Sequence, residues 1–350
     1  MNSRSDMVIT IIISAFCLYF VYLLFKFIYK KIESFGNSDT IIDAVITYVD
    51  GSDPLWLEEK SKFYKTPEET ANSRNPWRWE SSDEAKYCII LIKKNASFFR
   101  KIFLVLSRPS QIPKWLEDVR KIEPKIPIEI VYHSQFYKNI NHLPTYNSMS
   151  IEANIHRING LSEYFVYFND DCFITSSVTK KDFVDDSGNI LIQLEDSLVS
   201  QRGDPDVSEI GFYSAWKNTN KMLDNLFPKT STEVRKILRH VPQIQRKSTH
   251  KKLSEIFKNN FETTSSSKFR NTRCNLISAG LAEYYELYSG TGKIHKNTYI
   301  QAFISDNVNK NKIFFDSFHK IRPQFVNLQN TITTNNVAKD QLKSFLKELS

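Results

Sequence analysis

Glycine is scarce in this chain, with 9 in 350 residues. Neither G-x-G-x-x-G nor G-K-[ST] occurs, which argues against a glycine loop cradling phosphates in the dinucleotide-fold or P-loop manner. Cysteine is scarcer still. Cys17, Cys88, Cys172 and Cys274 form no C-x-x-C pair, so neither structural zinc nor a disulfide framework is expected. The net charge of +8 is not gathered into a basic arm, and no zinc-finger spacing appears. That speaks against nucleic acid as a partner and fits a phosphorylated or nucleotide-bearing small substrate. There is no internal repeat.

One long uncharged run is present. "MVITIIISAFCLYFVYLLF", Met7 to Phe25, is 19 residues long, roughly 28 Å of helix and close to one bilayer core. It is bulky, lacks a small-residue exit site and leads directly into Lys26, Lys30 and Lys31. The reading is an uncleaved single-pass anchor over 7–29 and a polar stem over 30–40. Lysines after the run favour a cytoplasmic domain. This suits the cytoplasmic membrane of a bacterium, whereas a Golgi membrane in a eukaryote would need the opposite orientation.

After the stem, strand and helix patterns alternate. "IIDAVITYVD" (41–50), "KIFLVLS" (101–107), "IPIEIVYH" (126–133) and "YFVYFNDDCFI" (164–174) read as strands rich in β-branched and aromatic residues. Helices are expected from Asp53-Pro54 onward, over 81–100 behind a serine cap, in "PKWLEDVR", and over 147–164. This predicts an α/β, Rossmann-like domain, its mainly parallel sheet flanked by helices. Residues 180–230 read as a turn, the strand "ILIQLE" and polar loops. Residues 231–290 and the start of 298–318 read as helical, giving a mostly helical C-terminal part. The catalytic domain is placed at 41–330, with a helical tail over 331–350.

Two of these strands end on carboxylates: Asp50 with Asp53, and Asp170 with Asp171. A parallel sheet opens both ends on one edge, where α/β sheets bind ligands. Asn and Asp also favour plain turns. Clustered carboxylates repel unless a cation joins them, and Mg²⁺ or Mn²⁺ suits hard oxygen ligands and substrate phosphates. Glu152 and His156 are spaced to share a helix face. His240 in "RHVPQ", Arg270 in "SSSKFRNTR" and Asp306 in "AFISDNVN" are weaker single candidates.

The motifs "IDAVITYVDGSDPLW" and "LPTYNSMSIEANIHRINGLSEYFVYFNDDCFI" together resemble the Stealth family of sugar-phosphate transferases. That family includes microbial capsule polymerases and the GlcNAc-1-phosphotransferase behind the mannose-6-phosphate tag. The resemblance runs through four blocks in order, near 42–56, 78–174, 239–273 and 303–311. It implies that Asp171 is the catalytic carboxylate on the metal strand, with Glu152 beside it. His240, Arg270 and Asp306 match the remaining active-site positions. Asp50, Gly51, Asp53, Arg78 and Asn147 are implied in nucleotide-sugar binding, and Asp170 with Asp171 in holding the metal.

The implied reaction moves sugar-1-phosphate from a nucleotide diphosphate sugar, UDP-GlcNAc-like, to a glycan hydroxyl. A homodimer is allowed for. The chain departs from the family pattern at Ser81 (Asp in the family), Lys86 (Arg) and Ile90 (Arg). Those changes bear on donor choice or on activity itself. Two rival readings follow: a conventional metal-dependent glycosyltransferase that releases nucleoside diphosphate, and a retired nucleotide-sugar-binding protein.

Overall fold

The computed structural model describes residues 40–350 and the isolated residue Tyr19. The expected anchor over 7–29, Tyr19 apart, and the stem up to residue 39 lie outside the described residues. Among those described, no helix is long and apolar enough to cross a membrane.

The strands in chain order are β1 (Ile42–Thr47), β2 (Ile102–Leu106), β3 (Ile128–Tyr132), β4 (Tyr164–Phe168), β5 (Cys172–Ile174) and β6 (Ile190–Ile192). They continue with β7 (Leu194–Val199), β8 (Lys236–Leu238), β9 (Gln243–Arg246), β10 (Gly292–Ile294), β11 (Tyr299–Ile304) and β12 (Phe325–Asn330). The main sheet has the order β3-β2-β1-β4-β9. Its first four strands are parallel, and β9 closes the edge antiparallel to β4.

β1, β2 and β4 read as continuous apolar runs because both faces of the sheet are covered. Alternate residues serve opposite cores. Ala44, Ile46, Leu104 and Val166 face the larger core, while Val45, Phe103, Val105 and Phe165 face the smaller one. Ile46 pairs with Phe168, so β1 and β4 end side by side. Asp50 and Asp170–Asp171 therefore open on the same edge, as expected.

The strand that begins at Tyr164 does not run straight through. It stops at Phe168 and turns, with Cys172 N donating to Asn169 O at 3.1 Å. It then resumes as β5 in a second sheet of order β11-β12-β5. The two aspartates occupy this switch between sheets.

Other expectations need correction. Residues 147–164 are not one helix. They form the helix Ser148–Glu152, then a 3₁₀ turn at Ile155–Arg157. Asn154 lies between them, and its amide donates to Ser150 O at 2.9 Å and to Ser265 Oγ at 2.8 Å, competing with the backbone ladder. The 81–100 helix starts at Glu84 behind Asp83, which has φ 67°, and has no serine cap.

The C-terminal part is not mostly helical. Residues 299–304 form strand β11, and β8 and β9 also fall in the region read as helical. Conversely, 180–230 holds a helix, Gly211–Leu226, that buries Trp216 and Leu223. Its apolar stripe is diluted by Asn, Thr and Lys. The tail does form a helix, Asn336–Leu349, with Asn335 accepting from Val337 N and Ala338 N.

Candidate active site

The site is built where β4 ends. β9 lies against β4, with Tyr167 paired to Gln243. The tight turn between β8 and β9 thereby carries His240 to Asp171. His240 Nε2 lies 3.8 Å from Asp171 Oδ1. Two amides flank the ring. Asn169 Nδ2 is 2.6 Å from Nε2, and Gln329 Nε2 is 3.2 Å from Nδ1.

A neutral imidazole has one acceptor nitrogen, so one of these amides must present its oxygen. Tyr167 OH donates to Asn169 Oδ1 at 3.0 Å, which aims the Asn169 amino group at Nε2. Nε2 is then the lone-pair nitrogen and Nδ1 carries the proton. That tautomer requires the Gln329 amide to present its oxygen to Nδ1, the reverse of its placement here, the two ends of an amide being interchangeable in shape. β12 also pins Asp171, since Leu328 N donates to its carbonyl at 3.0 Å.

Tyr167 links this half of the site to a second. Its hydroxyl lies 3.5 Å from Glu152 Oε1 and 3.3 Å from Thr47 Oγ1. Glu152 ends the helix that Asn147 begins. Burial pushes its carboxyl up to about 7, against the pull of Arg270 and hydrogen bonds from Tyr167 and Ser148. Arg270 donates to Ser148 Oγ at 2.9 Å. Arg78 donates to Asn72 O at 2.6 Å, and burial and the like charge of Arg270 lower it to about 9. Among the described residues neither guanidinium has a carboxylate within 4.0 Å. Arg78 is left without a counter-charge, Arg270 feels Glu152 from beyond that distance, and guanidinium forks suit phosphate.

The acidic side of the site is crowded. Burial, Asp171 and Glu84 drive the Asp170 carboxyl well above the ordinary carboxylate range. Glu84 is itself buried and raised, and it accepts from Ser82 N and, at 3.0 Å, from Asn330 Nδ2. Asp171, Cys172 and His240 bring one ligand atom each within 4.8 Å of one another. Carboxylate oxygens fit a hard cation such as Mg²⁺. The Cys172 thiol does not, because burial and Asp171 raise it and keep it protonated. Asp171 is the one carboxylate of that group, and Asp170 stands outside it and would have to give up a proton to join a cation. Asp171 faces His240, and Asp170 lies nearer Glu84.

Several expected residues serve the scaffold. Asp53 caps the helix Pro54–Ser61, accepting from Leu55 N at 3.0 Å, Gln111 Nε2 at 2.8 Å and Ser110 Oγ at 2.6 Å. Asp50 accepts from Ser52 N at 2.9 Å. Asn147 caps its helix and donates to Ser267 O at 3.1 Å. Gly51 is glycine because a Cβ there would fall 2.0 Å from Trp79 O.

Asp306 is exposed. Its carboxylate accepts from the amides of Thr333, Thr334 and Asn335 and from Thr333 Oγ1 at 2.5 Å, which lower it to about 2. His156 does not share a face with Glu152. It is buried with its ring 5.8 Å from His250 and 6.3 Å from Phe261. Tyr167, Asn169 and Gln329 were not anticipated, and Glu84 was expected only as a residue retained in the second block. Asn169 adjoins the Asp pair and was findable, whereas nothing local marks Gln329.

The chain was compared with known proteins. Stealth protein conserved region 2 (CR2) matches residues 78–192, and conserved region 3 (CR3) matches residues 239–275. The chain belongs to the Stealth family. The Stealth CR2 segment supplies Arg78, Glu84, Glu152, Asn169, Asp170 and Asp171, and CR3 supplies His240 and Arg270.

Exopolysaccharide phosphotransferase SCO6023 of Streptomyces coelicolor is 34% identical over 71% of this chain and 40% of that protein. Exopolysaccharide phosphotransferase SCO2594 of the same organism is 31% identical over 73% and 41%. Capsular polysaccharide phosphotransferase SacB of Neisseria meningitidis serogroup A is 32% identical over 71% and 43%. The chain thus spans about two fifths of the length of these curated relatives. An apo structure of the bifunctional glycosyltransferase WbbM aligns with 83% of this chain and 46% of that one, at 9% identity and TM-score 0.39, too low to establish a shared fold.

Proposed function

We propose that this Stealth chain transfers sugar-1-phosphate from a nucleotide diphosphate sugar, UDP-GlcNAc-like, to a hydroxyl of a glycan acceptor. The acceptor oxygen bonds to the β-phosphorus, the P–O bond to the bridging oxygen breaks, and nucleoside monophosphate leaves. The observation that carries this reading is the neighbouring pair Arg78 and Arg270, neither in an ion pair, with Arg270 joined through Ser148, Glu152 and Tyr167 to Asn169 and His240. Phosphoryl transfer needs positioning and charge neutralisation more than covalent help.

In this reading Arg78 and Arg270 hold the diphosphate. His240 takes the acceptor proton at Nε2, the acceptor hydroxyl displacing the Asn169 amide from that lone pair, while Gln329 fixes the tautomer. Asp171 orients His240 and balances the imidazolium that forms. Glu152 sets the charge felt by Arg270. Mg²⁺ or Mn²⁺ held by Asp171 and Asp170 would add positive charge beside the phosphates. An anchor over 7–29 would hold the domain at a membrane. Retention of both arginines supports turnover rather than retirement. Of the changed positions, Ile90 packs on the main core, Lys86 Nζ lies over the Tyr87 ring at 5.6 Å, and Ser81 donates to Glu84 at 3.2 Å.

The test uses the full-length chain with Mg²⁺, a panel of nucleotide sugars and glycan acceptors, and identifies the nucleotide released. Nucleoside monophosphate is expected, and it should vanish in His240→Ala and in Asp171→Ala while both stay folded. Release of nucleoside diphosphate would overturn the reading in favour of ordinary glycosyl transfer.

A further inference from the structure

Beside the arginine pair lies a small aromatic core, separate from the two cores of the main sheet. Trp56, Trp79, Tyr146 and Phe269 form it, all buried. The four rings close a cycle. Trp56 meets Trp79 edge-on at 5.7 Å between centroids, and Trp79 meets Phe269 edge-on at 6.4 Å. Phe269 stacks on Tyr146 at 5.1 Å, and Tyr146 meets Trp56 edge-on at 5.2 Å. Such geometries are the favoured ones for aromatic pairs.

The four rings come from four distant stretches of chain. Trp79 directly follows Arg78, and Phe269 directly precedes Arg270. The cycle therefore ties together the two backbone points from which the guanidiniums project. Its outer ring faces are covered by cations. Lys60 Nζ lies 3.6 Å from the Trp79 centroid and 4.7 Å from that of Trp56. The Arg74 guanidinium lies 3.7 Å from the Phe269 centroid and is gripped by both oxygens of Glu69, at 2.7 and 2.8 Å. On one flank Gly51 presses directly on the Trp79 carbonyl. Tyr146 N also donates to Lys268 O at 2.8 Å, tying the stacked pair through its backbone.

Arg78 and Arg270 need such a frame. They repel one another, and no carboxylate among the described residues pins either. Each has one side-chain hydrogen bond to hold it, to Asn72 O and to Ser148 Oγ. Phosphate recognition by guanidinium forks depends on their relative placement. We propose that the four-ring cycle sets the spacing of Arg78 and Arg270, and that Trp79 and Phe269 are positioning residues for a diphosphate ligand. This rests on the reading of the arginine pair as the phosphate site.

The experiment measures binding of inorganic pyrophosphate to the full-length chain by calorimetry, well below each variant's unfolding temperature, together with donor KM and kcat. Trp79→Leu is expected to weaken pyrophosphate binding at least tenfold and to raise donor KM by a similar factor, with a smaller fall in kcat. Trp79→Phe should recover most of the affinity. Phe269→Leu should repeat the loss, and it stands in if Trp79→Leu does not fold. Trp216→Leu, in the main core, should lower the unfolding temperature and leave pyrophosphate affinity unchanged.

Pyrophosphate affinity within twofold of wild type in folded Trp79→Leu or Phe269→Leu would overturn the proposal. So would an equal loss of affinity in Trp216→Leu, which would mark a general packing effect. Absence of pyrophosphate binding in the wild type would sink both the phosphate site and the proposal. Pyrophosphate binding without monophosphate release would sink only the proposed reaction, and the variants would still decide the role of the rings.

Discussion

Replacing Glu152 with glutamine removes one titration and keeps an acceptor for Tyr167. In the fold the Glu152 carboxyl sits at about 7 against an ordinary 4.5, because burial outweighs the attraction of Arg270. The folded state therefore binds this proton more tightly than the unfolded one. Stability from Glu152 is fully present below about pH 4.5 and is lost as pH rises through about 7. At ~1.4 kcal/mol per unit, the wild type loses about 2–3 kcal/mol between pH 5 and pH 8 that Glu152→Gln does not. For a domain of this size that is about 4 °C in unfolding temperature.

Scanning calorimetry on the full-length proteins at the two pH values reads the effect as a difference of differences. The offset between wild type and variant at a single pH also contains the partner lost by Arg270, and cancels. Glu152→Gln should gain about 4 °C relative to wild type on going from pH 5 to pH 8. A gap that stays constant within about 1 °C would refute the burial argument, as would a gap that moves the other way.

Two further outcomes are expected. Asp306→Ala should raise hydrogen exchange over residues 331–336, where it removes the acceptor of three backbone amides, while product formation continues; lost turnover with unchanged exchange would instead mark Asp306 as a group acting on substrate. Gly51→Ala places a methyl 2.0 Å from a backbone oxygen that cannot swing away, and should cost about 3 kcal/mol, seen as a lower unfolding temperature; an unchanged unfolding temperature would mean that the Gly51–Trp79 contact relaxes freely.

The first half of the fold was legible because its strands are covered on both faces and read as unbroken apolar runs. The edge on which Asp50 and Asp170 open followed from parallel pairing alone. The second half was hidden for local reasons. Tyr299 to Ile304 alternates apolar and polar residues weakly enough to pass for helix, and pairing with β12 decides it. The helix Gly211–Leu226 carries too many polar residues to announce itself. In the site, Asp171, Glu152, His240 and Arg270 were each weak as single residues. They gained weight only through the resemblance, and their convergence is a tertiary fact. Gln329 could not be found at all, because its partner is 89 positions away.

The placement of Gln329 also bears on how the protein comes into being. The second amide on His240 lies on β12, and Asn330, beside it, supports Glu84 from 246 positions away. Domains take shape progressively as a chain leaves the ribosome, N-terminal part first. Here the β1–β4 core can form early, but His240 gains its second support only once β12 has been made. A message truncated before Phe325 would yield the main sheet with His240 lacking the Gln329 amide.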